Sequence, residues 1–464
     1  MPLAMSRQRL TSSDAMFLYL ESRETMMHVA GLLTFAPPPD APPDHLRRLV
    51  DEMRVAPVVH RPWNLKLRTP DLLVNPLQAW VEDKHMDLDY HVRRTALPSP
   101  GDERELGIVV SRLHGNPIDF HRPPWELHLI EGLEGGRYAL YCKVHHALVD
   151  GYSAMRILSS SLSRDASDRK RPLFFSIEQP PAARAPAEEG GGSIFDVVSA
   201  VRDQLGTSRS VGHALMNLAR ARMKTKDIVS PLQAPRCILN RRISRSRRFA
   251  TQKLDLGRLK AVAKAANGTL NDVVLALSGA SLRRYLLELD ALPEAPLVAM
   301  VPVNVRPKDD RGGGNAVGAI LASLATHVAD PAERLSDVIA STRLAKDQLQ
   351  GMSKAAIIQY SALLLSPFMM QLVPGASGRV RPAFNVVISN VPGPDEPLYF
   401  RGARLEAAYP MSIPVHGLAL NITCNSYAGG LDFGFIGCRD TLPHLQRLAV
   451  YCGEALVELE QAVG

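Results

Sequence analysis

The chain has 464 residues, 46% apolar and 22% charged, which is typical of a globular soluble protein, and its length favours two or three domains. The net charge of +7 and the pI near 9.2 favour an anionic partner: a nucleic acid, a negatively charged membrane surface or a phosphorylated cofactor. No zinc-finger spacing, recognition helix or interleaved basic and aromatic motif is present, so we expect no nucleic-acid partner.

The protein is expected to stay inside the cell. Its first nine residues lack the apolar core of a signal peptide. The five cysteines are scattered, odd in number and outside any CxxC pair. This pattern indicates a reducing compartment and argues against both a disulfide framework and a structural zinc site.

Residues 1–165 form the first predicted domain, a mixture of strands and helices. Near its end, residues 137–144 are a short β-prone run, and residues from Ser153 onward have apolar side chains at helical spacing. Between them lies the sequence His145-His146-Ala147-Leu148-Val149-Asp150-Gly151. The motif is therefore predicted on a turn between a strand and a helix, where an imidazole is held rigidly and can take a proton near neutral pH.

Residues 166–248 are predicted to be a linker followed by a bridging helical, basic segment. Its first part is rich in proline and glycine, a helical pattern covers residues 194–223, and positive charges concentrate in residues 220–248. Three interpretations of this basic cluster remain open: it is a solvent-exposed surface without a partner, it contacts anionic lipid, or it contacts coenzyme A phosphates. We favour lipid slightly, because the cluster is diffuse whereas a nucleotide site is compact.

Residues 249–464 form the second predicted domain. A strand over residues 251–256 leads into a helix that Gly268 ends, and either Thr269 or Asn271 can cap the next helix. Further strands are predicted at residues 297–305, 385–389, 419–424 and 431–437. The uncharged stretch from Ala355 to Val373 is nearly long enough for a membrane span, although Pro367 interrupts it. It can also be a pair of core helices, a channel wall or a membrane-facing patch.

The heptad HHxxxDG is the signature of the acyl-CoA-dependent acyltransferase superfamily related to chloramphenicol acetyltransferase. The chain further resembles the bacterial wax ester synthase/diacylglycerol acyltransferase family in four segments that occur in the family's order. These are its opening at residues 10–17, Pro123-Pro124-Trp125-Glu126, Asn271-Asp272 and the Ser-Asn-Val-Pro-Gly-Pro segment at residues 389–394.

This resemblance implies an α/β fold of two chloramphenicol-acetyltransferase-like halves with an active-site channel between them. It implies transfer of a fatty acyl group from acyl-CoA, as co-substrate, to diacylglycerol or a long-chain alcohol, with no bound cofactor and no metal. The alternatives are transfer to a glycolipid or amine, and a non-catalytic protein that binds lipid inclusions. The expected location is cytoplasmic, with peripheral contact to the inner membrane or to lipid inclusions.

The resemblance also assigns roles within the motif. His146 is the candidate general base, and no serine or cysteine nucleophile is required. The alternative interpretation is that the two histidines only form local hydrogen bonds. His145 points to the opposite side if the strand continues and is expected to support His146. Asp150 is expected to form a structural salt bridge with Arg306, and Gly151 either keeps the channel open or permits a positive φ.

The candidate substrate-binding residues are Asn271, Asp272, Ser389 and Asn390. Asn271 either holds the thioester carbonyl and its developing oxyanion or caps a helix. Asp272 is expected to stabilise the helix start through its charge. Ser389 and Asn390 border the channel by resemblance, although a structural crossover is the favoured reading. Trp125 is expected to be a core aromatic side chain.

Overall fold

The computed structural model divides the chain into two compact units. The first comprises Met1–Ser199 and Pro392–Ile413, and the second comprises Ala200–Val391 and Pro414–Gly464. Each unit combines a six-stranded sheet with helices, which confirms the predicted α/β class. The structure describes residues 8–56, 58–71, 78–178, 229, 233–304, 317–349, 352, 356–357, 360–361, 364–365, 368 and 381–464.

The first unit is built around a sheet whose strand order is β12-β13-β2-β7-β6-β5. Apolar and β-branched residues fill β2 and β7, which are buried on both faces and pair antiparallel at its centre. A small sheet, β1-β4-β3, stands beside it. The strands are β1 (Gln8–Arg9), β2 (His28–Ala36), β3 (Leu65–Leu67), β4 (Ala79–Glu82), β5 (Val92–Ala96), β6 (Trp125–Glu131), β7 (Tyr138–His145), β12 (Tyr399–Phe400) and β13 (Ala403–Met411).

Two of these strands come from late in the sequence. β12 and β13 lie between two stretches of the second unit, which end at Val391 and resume at Pro414. Even so, β13 pairs antiparallel with β2 along nearly its whole length. The helices of the first unit are α1 (Ser12–Leu20), α2 (His45–Arg54), α3 (Leu88–His91), α4 (Glu103–His114) and α5 (Gly151–Ser160).

The second unit has a sheet of order β10-β9-β11-β14-β15-β8, with the helices packed together over a large apolar core. Its elements are β8 (Arg247–Asp255), α6 (Leu256–Ala265), α7 (Leu270–Glu288), β9 (Val298–Asn304), β10 (Val317–Ser323), α8 (Pro331–Asp347), β11 (Val386–Val391), β14 (Leu420–Tyr427), β15 (Gly430–Cys438) and α9 (Arg447–Val463).

The helix boundaries near residue 268 differ from those predicted. Asn267, with φ of 51°, is the left-handed residue that ends α6, and Gly268 follows it and donates its N–H to the Ala263 carbonyl at 2.8 Å. Thr269, not Asn271, caps α7 by accepting from Asp272 N. Asn271 is already inside the helix, because the first turn starts one residue before it.

Parts of the predicted linker pack into the two units. Phe174 and Phe175 are buried, and Phe174 contacts Trp63 and Trp125 ring to ring. At the other end of the linker range, Arg247 begins β8.

Several predicted segments lie outside the described residues. These include the helix at residues 194–223 and most of the uncharged stretch at 355–373. Among the helices that the structure describes, none combines the length and the apolar character needed to cross a bilayer.

Candidate active site

The His-His motif lies on the predicted turn between a strand and a helix. β7 ends at His145, directly opposite His28 of β2, and α5 begins at Gly151. Residues 146–150 connect them, so the sequence prediction of this local structure is confirmed. The buried β7 backbone and the capped start of α5 hold the turn at both ends.

His146 is held at its backbone and at its ring. Its N–H donates to the Met27 carbonyl at 2.8 Å, and its ring stacks on Phe17 with 4.0 Å between centroids and 23° between planes. Burial lowers the pKa of His146 to about 4, although the nearby Asp150 carboxylate opposes this shift. The imidazole is therefore neutral at pH 7, with a lone pair available to accept a proton.

His145 is buried and has a separate set of contacts. Its Nδ1 accepts from the Ala147 N–H at 3.1 Å, so its proton is on Nε2. Nε2 faces the Glu21 carboxylate at 3.5 Å, and the edge of the ring contacts Phe120.

Asp150 caps the helix that follows the motif. Its carboxylate accepts from the Ser153 N–H and from the Ser153 hydroxyl, both at 2.8 Å. Arg306, the predicted partner of Asp150, lies outside the described residues.

Gly151 does not have a positive φ, so that explanation of the glycine is wrong. A Cβ built at this position would meet no heavy atom of the described residues within 4 Å. The glycine thus leaves open space beside the motif, and the backbone conformation does not require it.

Two residues at this site were missed by sequence reasoning. Phe17 of α1 covers the His146 ring, and Glu21 follows the same helix and contacts the His145 side of the motif. Both are more than a hundred positions from the histidines, and only the pairing of β2 with β7 brings them close. The register of two distant strands was not predictable from the sequence pattern.

Beneath the motif, the same face of β7 carries a buried ion pair. Lys143, fully buried, lies with Nζ 3.2 Å from the Glu126 carboxylate and donates to the carbonyls of Leu113 and Asn116. Burial would raise the pKa of Glu126, but the His128 hydrogen bond and the Lys143 charge outweigh it and lower the pKa to about 2. Glu126 therefore remains charged and anchors the lysine.

Trp125, which precedes Glu126 in the sequence, is a fully buried aromatic side chain. Its Nε1–H donates to the Trp63 carbonyl at 2.7 Å, and its ring stacks on His91.

The remaining candidates belong to the second unit. Asp272 is buried and accepts from Thr269 N and Oγ1 at 2.8 and 2.7 Å and from Thr342 Oγ1 at 2.6 Å, which completes a capping box and ties α7 to α8. Asn271, beside it, is half-buried. Ser389 and Asn390 are half-buried near the end of β11, which pairs parallel with β9 and β14.

No group of three or more histidine, cysteine, aspartate or glutamate side chains in the described part of the chain is arranged to hold a metal ion. In the first unit, the motif provides a neutral imidazole at His146, a capped helix start at Asp150 and a glycine whose added Cβ would meet no described heavy atom within 4 Å. A neutral imidazole can take a proton from a hydroxyl that reaches it.

Comparison with known proteins identifies the family of this chain. Residues 10–274 match the wax ester synthase/diacylglycerol acyltransferase catalytic domain, and residues 313–460 match the WS/DGAT C-terminal domain. A Mycobacterium tuberculosis protein named as a diacylglycerol O-acyltransferase is 52% identical over 494 residues, covering 100% of this chain and 99% of that protein. The O-acyltransferase WSD of Acinetobacter baylyi is 41% identical over 97% of this chain and 96% of its own.

Solved structures agree with the sequence comparison. The wax ester synthase/diacylglycerol acyltransferase from Marinobacter aquaeolei VT8 has a TM-score of 0.81 at 41% identity, covering 98% of this chain and 100% of its own. The first condensation domain of the calcium-dependent antibiotic synthetase, at 18% identity and a TM-score of 0.57, shares the fold. The chain is therefore an acyltransferase and belongs to the wax ester synthase/diacylglycerol acyltransferase family.

Proposed function

We propose that this acyltransferase moves a fatty acyl group from acyl-CoA to the hydroxyl of a diacylglycerol or a long-chain alcohol, with His146 as the general base. The neutral, half-buried imidazole of His146 carries the proposal. A hydroxyl is a poor nucleophile while a thiolate leaves readily, so removal of the hydroxyl proton is the assistance that this reaction needs most.

The reaction requires one proton to be accepted and returned. His146 takes the acceptor's proton as its oxygen attacks the thioester carbonyl, the carbon–sulfur bond breaks, and the coenzyme A thiolate recovers a proton from the imidazolium. The Asp150 carboxylate, which already opposes the lowered pKa of His146, favours the transient positive charge. Phe17, stacked on the ring, favours it as well.

The other candidates have supporting roles in this proposal. Asn271 holds the thioester carbonyl as charge develops on it, and Asp272 fixes the helix start that carries Asn271. Asp150 caps α5, and its salt bridge with Arg306 stays a prediction. Ser389 and Asn390 border the acyl channel, and Gly151 leaves room for the acceptor. Contact with a membrane or a lipid inclusion, through exposed basic residues, brings the enzyme to its acceptors.

The test is thiol release by the purified protein from palmitoyl-CoA, with diacylglycerol and hexadecanol as separate acceptors and with the lipid products identified. His146→Ala should lower the rate by at least about a hundredfold, the usual contribution of a general base, while melting and circular dichroism stay as in the wild type. His121→Ala, which removes an exposed histidine, is the matched control. If the activity of His146→Ala is within about threefold of the wild type, His146 is not the general base. Thiol release without either lipid product would mean that water takes the acyl group, and it would overturn the two proposed acceptors.

A further inference from the structure

We propose that Glu21 is a positioning residue for the acyl transfer, because its carboxylate holds both the backbone segment and the neighbouring ring on which His146 depends. This inference rests on the proposed role of His146 as base. Glu21 lies outside every recognised motif of the chain, directly after α1. Its side chain is only 12% exposed.

The first contact acts through the backbone. Glu21 Oε2 accepts a short hydrogen bond from the Met27 N–H, and the Met27 carbonyl accepts from the His146 N–H at 2.8 Å. Met27 immediately precedes β2, so it lies outside the strand that would otherwise hold it. A shift of Met27 therefore moves the backbone of His146 at the position where β7 has ended.

The second contact acts through the ring of His145. Because the Ala147 N–H donates to Nδ1, the ring proton of His145 is on Nε2, and this nitrogen lies 3.5 Å from Glu21 Oε2. The carboxylate thus faces two donors, one from a backbone and one from an imidazole. Rotation of the His145 ring would break the contact with Ala147 inside the turn that presents His146.

These contacts distinguish the variants. Glutamine retains one acceptor oxygen for Met27 but loses the charge that faces His145, whereas alanine loses both contacts. We expect kcat to fall about tenfold in Glu21→Gln and about a hundredfold in Glu21→Ala, because small displacements of a catalytic group have effects of this size. KM for palmitoyl-CoA should change less than about twofold, since the acyl-CoA makes no contact with Glu21 in this proposal. The matched control is Glu24→Gln, an exposed glutamate in the same loop, which should retain wild-type kcat.

Rescue separates positioning from structural damage. Acetate fits the space left by Glu21→Ala and should restore at least about a fifth of the lost kcat, whereas chloride at equal ionic strength should not. An unchanged kcat in folded Glu21→Ala would overturn the proposal. So would a loss of kcat that follows the loss of folded protein and that acetate does not reverse.

A measurement without substrate makes the test independent of the proposed function. In protein labelled with 15N-histidine, the His145 Nε2–H signal, identified with His145→Gln, should be present in the wild type and in Glu24→Gln. It should move or disappear in Glu21→Gln. An unmoved signal overturns the inference even if His146 is the base. A fully active His146→Ala overturns the proposed function and leaves this signal unaffected.

Discussion

The substitution Gly151→Ala distinguishes an effect on folding from an effect on the reaction. No described atom lies within 4 Å of the added Cβ, and the backbone has an ordinary helical conformation. Alanine should make the folded protein at least as stable as glycine does here, because it reduces the conformational entropy of the unfolded chain. In our proposal, the reason for glycine at this position is the space that it leaves for the acceptor.

Gly151→Ala should therefore lower acyl transfer by about tenfold or more without loss of stability, with the melting temperature within about 2 °C of the wild type. Thermal melting and thiol release from palmitoyl-CoA measure the two effects. The control is Gly453→Ala in α9, where the new Cβ makes only ordinary contacts with Gln252. If both alanine variants retain full activity, the open space beside Gly151 is not used by the acceptor.

The sequence was informative about single residues inside motifs and silent about residues outside them. The pattern around His146 predicted its turn, because local spacing determines where a strand ends and a helix begins. It could not predict the stacking of Phe17, the contacts of Glu21 or the lowered pKa of His146. Those depend on burial and on which distant strand pairs with β7.

At the level of elements, the start of α7 joins two functions in adjacent residues. Asp272 connects the cap of α7 to Thr342 on α8, while Asn271 is one position earlier and is not the cap. A substitution of Asp272 should lower activity by lowering the amount of folded protein. A substitution of Asn271 should lower the rate of the folded enzyme.

We expect Asp272→Asn to lower the melting temperature by several degrees, because its amide places a donor against the Thr269 donors and the buried Thr342 hydroxyl at a cost of about 1–3 kcal/mol. Thiol release per folded molecule should stay within about threefold of the wild type. Asn271→Ala should show the reverse: unchanged melting and a rate about a hundredfold lower. Asp330→Asn, an exposed cap on α8, controls for general capping effects. Normal activity in Asn271→Ala would remove its proposed role with the carbonyl.

Some strands and helices were predicted, but their partners were not. The strands near residues 298–304, 386–391, 420–427 and 430–438 match β-prone stretches of the sequence. The cap of α7 was left between two candidates, because threonine and asparagine both cap well. The pairing of β13 with β2 was absent from the prediction, since no local pattern records which of two compatible edges a strand will join.

On the scale of the whole molecule, the described arginines of the basic cluster differ in their exposure. Of the basic cluster at residues 220–248, positions 220–228 lie outside the described residues. Arg241, Arg242 and Arg245 are exposed, whereas Arg247 is buried and donates to the Ser244 carbonyl. Arg247 therefore cannot serve a lipid surface. Arg236 is exposed as well, and the three exposed arginines that lie within residues 241–245 are the ones to test together.

Neutralising Arg241, Arg242 and Arg245 together to glutamine should weaken binding to vesicles of phosphatidylcholine with an anionic phospholipid by about a hundredfold, from about 1 kcal/mol per charge. Cosedimentation with the vesicles at rising salt concentration measures the binding. Salt screens electrostatic binding but does not weaken apolar insertion, so the salt-sensitive part is the electrostatic part. Replacing the exposed Arg104, Lys260 and Arg343 gives a control with the same change in net charge. If both triple variants sediment as the wild type does, the cluster is a solvated face or contacts coenzyme A.

The pairing of β13 with β2 also determines when the first unit can be completed during synthesis. The ribosome produces residues 28–36 early, but their partner strand at 403–411 emerges only after seven of the ten strands and helices described for the second unit. Until then β2 exposes a row of unpaired backbone groups, the kind of edge that recruits strands from other chains. A nascent or truncated polypeptide that ends before residue 403 is thus prone to aggregation, and successful expression depends on delivering the whole chain.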